Sequence, residues 1–222
     1  MKNFKGYIET DKFKIGCTGQ TVYIYDKDGN EVKKFKDLIY AYASAASPLG
    51  DLLVVKSTEG RLAVYSLKTL SLVKKFRFSK VNYSQDDGFC FSPDGKYLIN
   101  IERHIDDLHS AISVYNTETF ATESRLLIDN KMMLHHIQET CGEYYVLGFL
   151  RGDDMVITTG FVAKYRNNEI SDIMNITSNE LDFYTNHLYQ TMFGFWLDQN
   201  KKIEIVHTLG ELWNYYHDKH SV

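Results

Sequence analysis

The sequence predicts an all-β protein, a β-propeller of about five four-stranded blades. Three observations carry that expectation: a strand motif recurs along the 222 residues, a turn marker keeps step with it, and no linker or low-complexity tract interrupts them. A period of about 40–50 residues signals repeat units that stack, because one unit cannot bury its apolar faces alone. The whole chain, residues 1–222, is therefore read as one propeller domain with repeats at approximately 1–38, 39–79, 80–129, 130–177 and 178–222.

The first marker is Ile24-Tyr25-Asp26, followed by Val64-Tyr65-Ser66, Val114-Tyr115-Asn116, Lys164-Tyr165-Arg166 and Val206-His207-Thr208. These lie about 40, 50, 50 and 42 residues apart. The second marker is Ser47-Pro48-Leu49-Gly50, which recurs 45 residues later as Ser92-Pro93-Asp94-Gly95. Cys141-Gly142 holds the same phase in the next repeat. Proline presets φ for a turn and glycine supplies a conformation that other residues resist. The only two prolines of the chain fall in these equivalent turns.

Alternating apolar, β-branched and aromatic residues then divide each repeat into four strands. The first reads Phe4–Ile8, Phe13–Thr18, Thr21–Tyr25 and Glu31–Phe35. The second reads Tyr40–Ala46, Asp51–Lys56, Arg61–Tyr65 and Ser71–Phe78. The third reads Gly88–Ser92, Lys96–Glu102, Ser110–Tyr115 and Ala121–Ile128. The fourth reads Leu134–Thr140, Glu143–Leu150, Val156–Tyr165 and Glu169–Ile176. The fifth is read as strands, with Lys202–Thr208 as its third. Leu181, Tyr184 and Leu188, and again Leu212, Trp213 and Tyr216, also fit one face of a short helix, so this repeat is part helical in the alternative.

Composition bounds the function. A hydrophobic fraction of 44% and an aromatic fraction of 14% supply a core and argue against disorder. The net charge of −4 lacks the basic excess of a dedicated nucleic-acid binder. Cys17, Cys90 and Cys141 are odd in number and form no C-x-x-C pair, so they read as reduced thiols packed like small hydrophobes, with no disulfide and no zinc site. No segment reaches the roughly 18 apolar residues of a membrane span, and the start of the chain lacks an apolar leader. The expectation is a cytoplasmic protein with no membrane partner and no cofactor.

Around Phe91-Ser92-Pro93-Asp94-Gly95-Lys96-Tyr97-Leu98 the sequence resembles the inner hairpin of WD-repeat propeller blades. Ser57-Thr58-Glu59-Gly60-Arg61-Leu62-Ala63-Val64-Tyr65-Ser66 with Leu72–Phe76 is similar to the outer half of such a blade. The likeness is strongest over residues 40–128 and concerns fold alone. The Gly-His pair of the family is absent, and its Trp-Asp dipeptide is replaced by Tyr-Asp, Tyr-Ser or Tyr-Asn. Five repeats either close as a ring or form a partial ring that a second copy completes.

The resemblance implies that connections from fourth to first strands, and from second to third strands, gather on one face. Asp86 and Asp87, His104, Asp106, Asp107 and His109, and Asp153 and Asp154 fall in such connections. Clustered carboxylates would attract a basic peptide or protein. Asp, Asn and Gly also populate turns for local reasons, which is the plainer account. His104 and His109 with their two aspartates do not make a metal site, since no rigid element fixes their spacing. Arg151-Gly152-Asp153 reads as the chance composition of a hairpin turn. His135-His136 would send one ring into the channel and the other between blades, in a structural role.

Lys33, Lys34 and Lys36, with Lys74, Lys75 and Arg77, fall on fourth strands, where charge blocks edge-to-edge pairing. Trp196, Trp213, Tyr215 and Tyr216 are the aromatics from which a homodimer contact through the last repeat would be built. No catalytic signature occurs. The function expected is a non-catalytic scaffold that engages a protein or peptide. The alternatives are a glycosidase-like propeller using Asp87, Glu139 or Asp182, and a propeller that binds sugar or another small ligand.

Overall fold

The structure is a computed structural model that describes residues 4, 6–78, 88–103, 109–155, 157–176 and 209–220. It divides into two compact units. The first holds β1 (Gly6–Glu9), β2 (Lys14–Cys17), β3 (Val22–Tyr25) and β4 (Glu31–Phe35), then β5 (Ala41–Ala46), β6 (Leu52–Ser57), β7 (Arg61–Ser66) and β8 (Ser71–Arg77). The second holds β9 (Phe89–Phe91), β10 (Tyr97–Arg103), β11 (Ser110–Asn116) and β12 (Thr122–Leu127), then β13 (Met132–Thr140), β14 (Glu143–Arg151), β15 (Ile157–Arg166) and β16 (Glu169–Ile176). Each set of four consecutive strands forms one antiparallel sheet in sequence order. The four expected repeats that the described residues cover are thus four propeller-like blades. The strand ends agree with the sequence reading to within two residues.

The two Ser-Pro turns share their main-chain geometry. In each, the glycine amide donates to the serine carbonyl at 2.8 Å, and the glycine holds a left-handed φ, +68° at Gly50 and +72° at Gly95. The serine hydroxyl accepts the amide that opens the next strand, from Leu52 to Ser47 Oγ at 3.0 Å and from Tyr97 to Ser92 Oγ at 2.9 Å. Cys141-Gly142 differs. It is a two-residue hairpin turn with both φ values positive, and the Gly142 amide donates to Glu139 Oε1. Cys141 is therefore exposed, whereas Cys17 is buried and Cys90 is half-buried at its surface. The expectation of three packed thiols holds for two; burial pushes both of those thiols up to about 12.

Apolar residues on alternate positions bring the sheets of each unit face to face. In the first unit Ile15, Cys17, Ile24 and Phe35 meet Leu53, Val55, Ala63 and Tyr65, with the Phe35 and Tyr65 rings stacked 4.1 Å apart. In the second unit Ile99, Ile101 and Ile112 meet Leu134, Ile137, Val146 and Phe161. Gly88 lets these two sheets approach: its amide donates to the His135 carbonyl, and a Cβ there would lie 2.2 Å from His136 Nδ1. His136 is buried, and the His135 ring turns the other way, 5.6 Å from Phe149. The fourth strands carry the exposed charge. Lys33 and Lys34 on β4, and Lys74, Lys75 and Arg77 on β8, all face solvent.

Residues 177–208, and with them the strand reading of Lys202–Thr208, lie outside the described residues. For Leu209–His220 the helical alternative holds: this is α1. Leu209, Leu212 and Trp213 recur at helical spacing and are buried, while Glu211, Asn214, His217 and Asp218 are exposed. The fourth sheet holds the helix by its polar groups. Gln138 Oε1 accepts the Leu209 amide at 2.8 Å, and the Trp213 indole N–H donates to the Asp172 carbonyl at 3.0 Å. Lys164 Nζ sits 4.2 Å above the Trp213 ring, a cation–π contact over a largely buried indole. Among the described residues no helix is long and apolar enough to cross a membrane.

Trp213→Ala removes the α1 side chain that bonds the Asp172 carbonyl and packs against Tyr145 and Lys164. The expected cost is about 3 kcal/mol. Hydrogen exchange should show the α1 amides losing protection while those of β14 and β15 keep theirs.

Candidate functional site

Three connections of the second unit meet at one end of its sheets. The β12–β13 segment turns at Asp129, whose carboxylate accepts the Lys131 amide at 2.7 Å. The β14–β15 loop is tied to it through Arg151, whose amide donates to the Lys131 carbonyl at 2.8 Å and whose guanidinium reaches the Asn130 carbonyl at 3.2 Å. Lys131 Nζ then pairs with Asp153 Oδ1 at 2.7 Å. On the other side His109, just before β11, has Nδ1 2.6 Å from the Ile128 carbonyl. A carbonyl can only accept, so Nδ1 carries the proton. Ser110 braces the junction, accepting the Ile128 amide on its carbonyl and the Leu134 amide on its hydroxyl.

Of the residues singled out from sequence, His109, Asp153 and Asp154 thus come to one end of the unit by way of the 128–131 segment. Asp86, Asp87, His104, Asp106 and Asp107 lie outside the described residues, as do Asp182 and Trp196. Asp153 is 95% exposed and its carboxyl is held below the usual range by the Lys131 hydrogen bond and charge; Lys131 is raised by the same contact. An ion pair this exposed adds little stability and leaves both charges available to a partner. Asp129 and Asp154 are exposed beside them, and sequence gave no sign that Lys131 and Arg151 would share the face.

Trp213 is spent on the fourth sheet, which accounts for it without a second molecule; Tyr215 and Tyr216 lie on α1. Glu139 is half-buried on β13 and accepts the Gly142 amide in its own hairpin. Among the described residues no group of three His, Cys, Asp or Glu side chains is arranged to hold a metal ion.

Sequence reading also missed a buried charge. Glu102 on β10 is 1% exposed, accepts the Tyr115 hydroxyl on Oε1 and faces Arg125 on Oε2 at 3.1 Å. Burial, then the Glu102 charge, raises the Tyr115 phenol. Tyr115, Glu102 and Arg125 thus form a network across β11, β10 and β12. Asn100 lies on the same face, fully buried, with neither side-chain polar atom hydrogen-bonded.

At the opposite end of the second unit, a cleft of about 340 Å³ opens between its two sheets. Tyr97, Ile99 and Val114 form one side; Tyr144 and Tyr165 form the other, their rings edge to face at 6.3 Å. Burial pushes the Tyr144 phenol up to about 12.

No family model and no curated protein matches this sequence. Among solved structures the chain is similar to the WD40 domain of Toxoplasma gondii coronin, at 15% identity and a TM-score of 0.54. The match covers 72% of this chain and 41% of that one, so the chain spans less than half of the domain it resembles. At this identity the likeness shows the fold alone: the four sheets are propeller-like blades.

Two outcomes follow from the titratable groups. Tyr115→Phe strips a donor from a buried carboxylate and should cost about 1–3 kcal/mol in urea unfolding. The raised Tyr144 phenol keeps its proton in the folded chain after the unfolded chain has lost it near pH 10. Its contribution to stability is therefore complete below pH 10 and lost as pH rises through about 12. Tyr144→Phe should flatten the alkaline limb of the stability profile.

Proposed function

We propose that the chain is a non-catalytic scaffold that engages a protein or peptide through the loop end of its second unit, and that the partner surface is basic. The observation that carries this is the Asp153 carboxylate, held out at 95% exposure on a loop that Arg151 and Lys131 pin to the neighbouring connection. An exposed charge at the rim of an interface steers the encounter and orients a partner. Asp129 and Asp154 add to it, and Asp86, Asp87, Asp106 and Asp107 fall in connections of the same kind by sequence. The WD40 fold supports the reading, because stacked blades make a stiff frame on which loops vary.

The test begins with recovery of a partner by pull-down and mass spectrometry. Its affinity is then measured for the wild type and for the variant with Asp106, Asp107, Asp153 and Asp154 all changed to Asn. The variant should bind on the order of tenfold more weakly and lose most of the salt dependence. Equal binding by both proteins overturns the acidic rim.

A further inference from the structure

We propose that the cleft between the third and fourth sheets is a second recognition site, which takes one bulky uncharged side chain, such as Phe or Leu, from an extended peptide. The proposal rests on the scaffold reading and adds a separate anchor to it.

Volume comes first. A cleft of about 340 Å³ stands at the small end of ligand sites, room for one large side chain and not for a structured element. Its walls are fixed. Tyr165 is 6% exposed and packed in the core of the unit, with its hydroxyl 3.4 Å from Asn168 Oδ1. Tyr144 packs edge-on against it, and Ile99 beneath is 3% exposed. Tyr97, by contrast, is 39% exposed, a large stiff aromatic at the open side. Tyrosine offers wide contact area at low entropic cost and dominates binding anchors.

Charge selects the occupant. Glu143 is the carboxylate at the mouth, and Arg166 contacts both of its oxygens, at 2.6 and 2.5 Å, while Lys164 stands 3.9 Å away. The Glu143 carboxyl is held low by Arg166, so the two charges offset each other at the mouth. The walls behind them are aromatic and aliphatic, where an apolar side chain gains by leaving water. Asn167 and Asn168, both at positive φ in the β15–β16 turn, stand on the rim, where their amides suit the peptide groups on either side of an inserted side chain. The cleft and the acidic loops are independent. Glu143 and Arg151 end the same strand, roughly 26 Å apart at about 3.3 Å per residue.

The test uses the full chain with labelled Ile, Leu and Val methyl groups, titrated with acetyl-Gly-Phe-Gly-amide, the Leu and Ala equivalents, and methyl glycosides. Saturable shifts centred on Ile99 and Val114 are expected for the Phe and Leu peptides and not for Ala. Tyr97→Ala, at an exposed position, should leave the methyl resonances outside the cleft unchanged and weaken the Phe peptide at least fivefold. The inference falls if the Phe peptide leaves Ile99 and Val114 unmoved, if Tyr97→Ala binds it equally well, or if only a glycoside shifts them. The four-aspartate variant should bind the peptide as the wild type does. If the cleft stays silent while that variant loses its protein partner, this inference alone is overturned.

Discussion

A four-stranded antiparallel sheet has two faces, and in the second sheet of this chain the middle strands are apolar on both. On β6 Leu53 and Val55 point one way and Val54 the other, and on β7 Ala63 and Tyr65 oppose Leu62 and Val64; all seven are buried. Such strands cannot exist at the surface, because exposing either face returns several large side chains to water at about 25 cal/mol per Å². Stacking is therefore imposed on each sheet by its neighbours' need as much as its own. The fourth strands release the constraint. β4 and β8 are half polar, carry exposed lysines and, on β8, an arginine, and end their sheets in a charged edge that refuses further pairing.

The same constraint explains α1. The fourth sheet uses one face for Ile99, Ile101 and Ile112 of the third and presents Gln138, Tyr145 and Lys164 on the other. That second face is more polar than a stacking face, and an amphipathic helix suits it. Apolar residues of the helix cover the rings while a glutamine caps its first amide and a lysine lies over its tryptophan. The Tyr115–Glu102–Arg125 network shows how the stack tolerates polarity when it must. A carboxylate with almost no exposure is held by two donors from two adjoining strands. Asn100, buried on the same face without hydrogen bonds, shows the opposite case and has no such explanation.

Strand ends are the surfaces this architecture leaves open, since the sheet faces are consumed by packing. At one end of the second unit the β12–β13 and β14–β15 connections carry exposed aspartates and are laced together by main-chain bonds. At the other the turns are tight, two of them with paired left-handed residues, and a tyrosine-walled cleft remains between the sheets. His109, Asp153 and Asp154 could be placed at the first end from sequence because loop position follows directly from strand order. The cleft could not, because Tyr97, Tyr144 and Tyr165 come from two different sheets and read individually as ordinary strand residues.

Sequence by itself determined the strands, their grouping in fours and the turn chemistry. These depend on local terms: a period of two, the fixed φ of Pro48 and Pro93, and the left-handed φ of Gly50 and Gly95. Tertiary structure decided what each group meets. It exposed Cys141 by making its turn a two-residue hairpin, buried Glu102 beneath two partners, set Lys131 against Asp153 and made a helix of Leu209–His220. Residues far apart in the chain set these outcomes. A helical or extended reading of an amphipathic segment is settled by the face it must cover, and a carboxylate's role by the donors that packing brings to it.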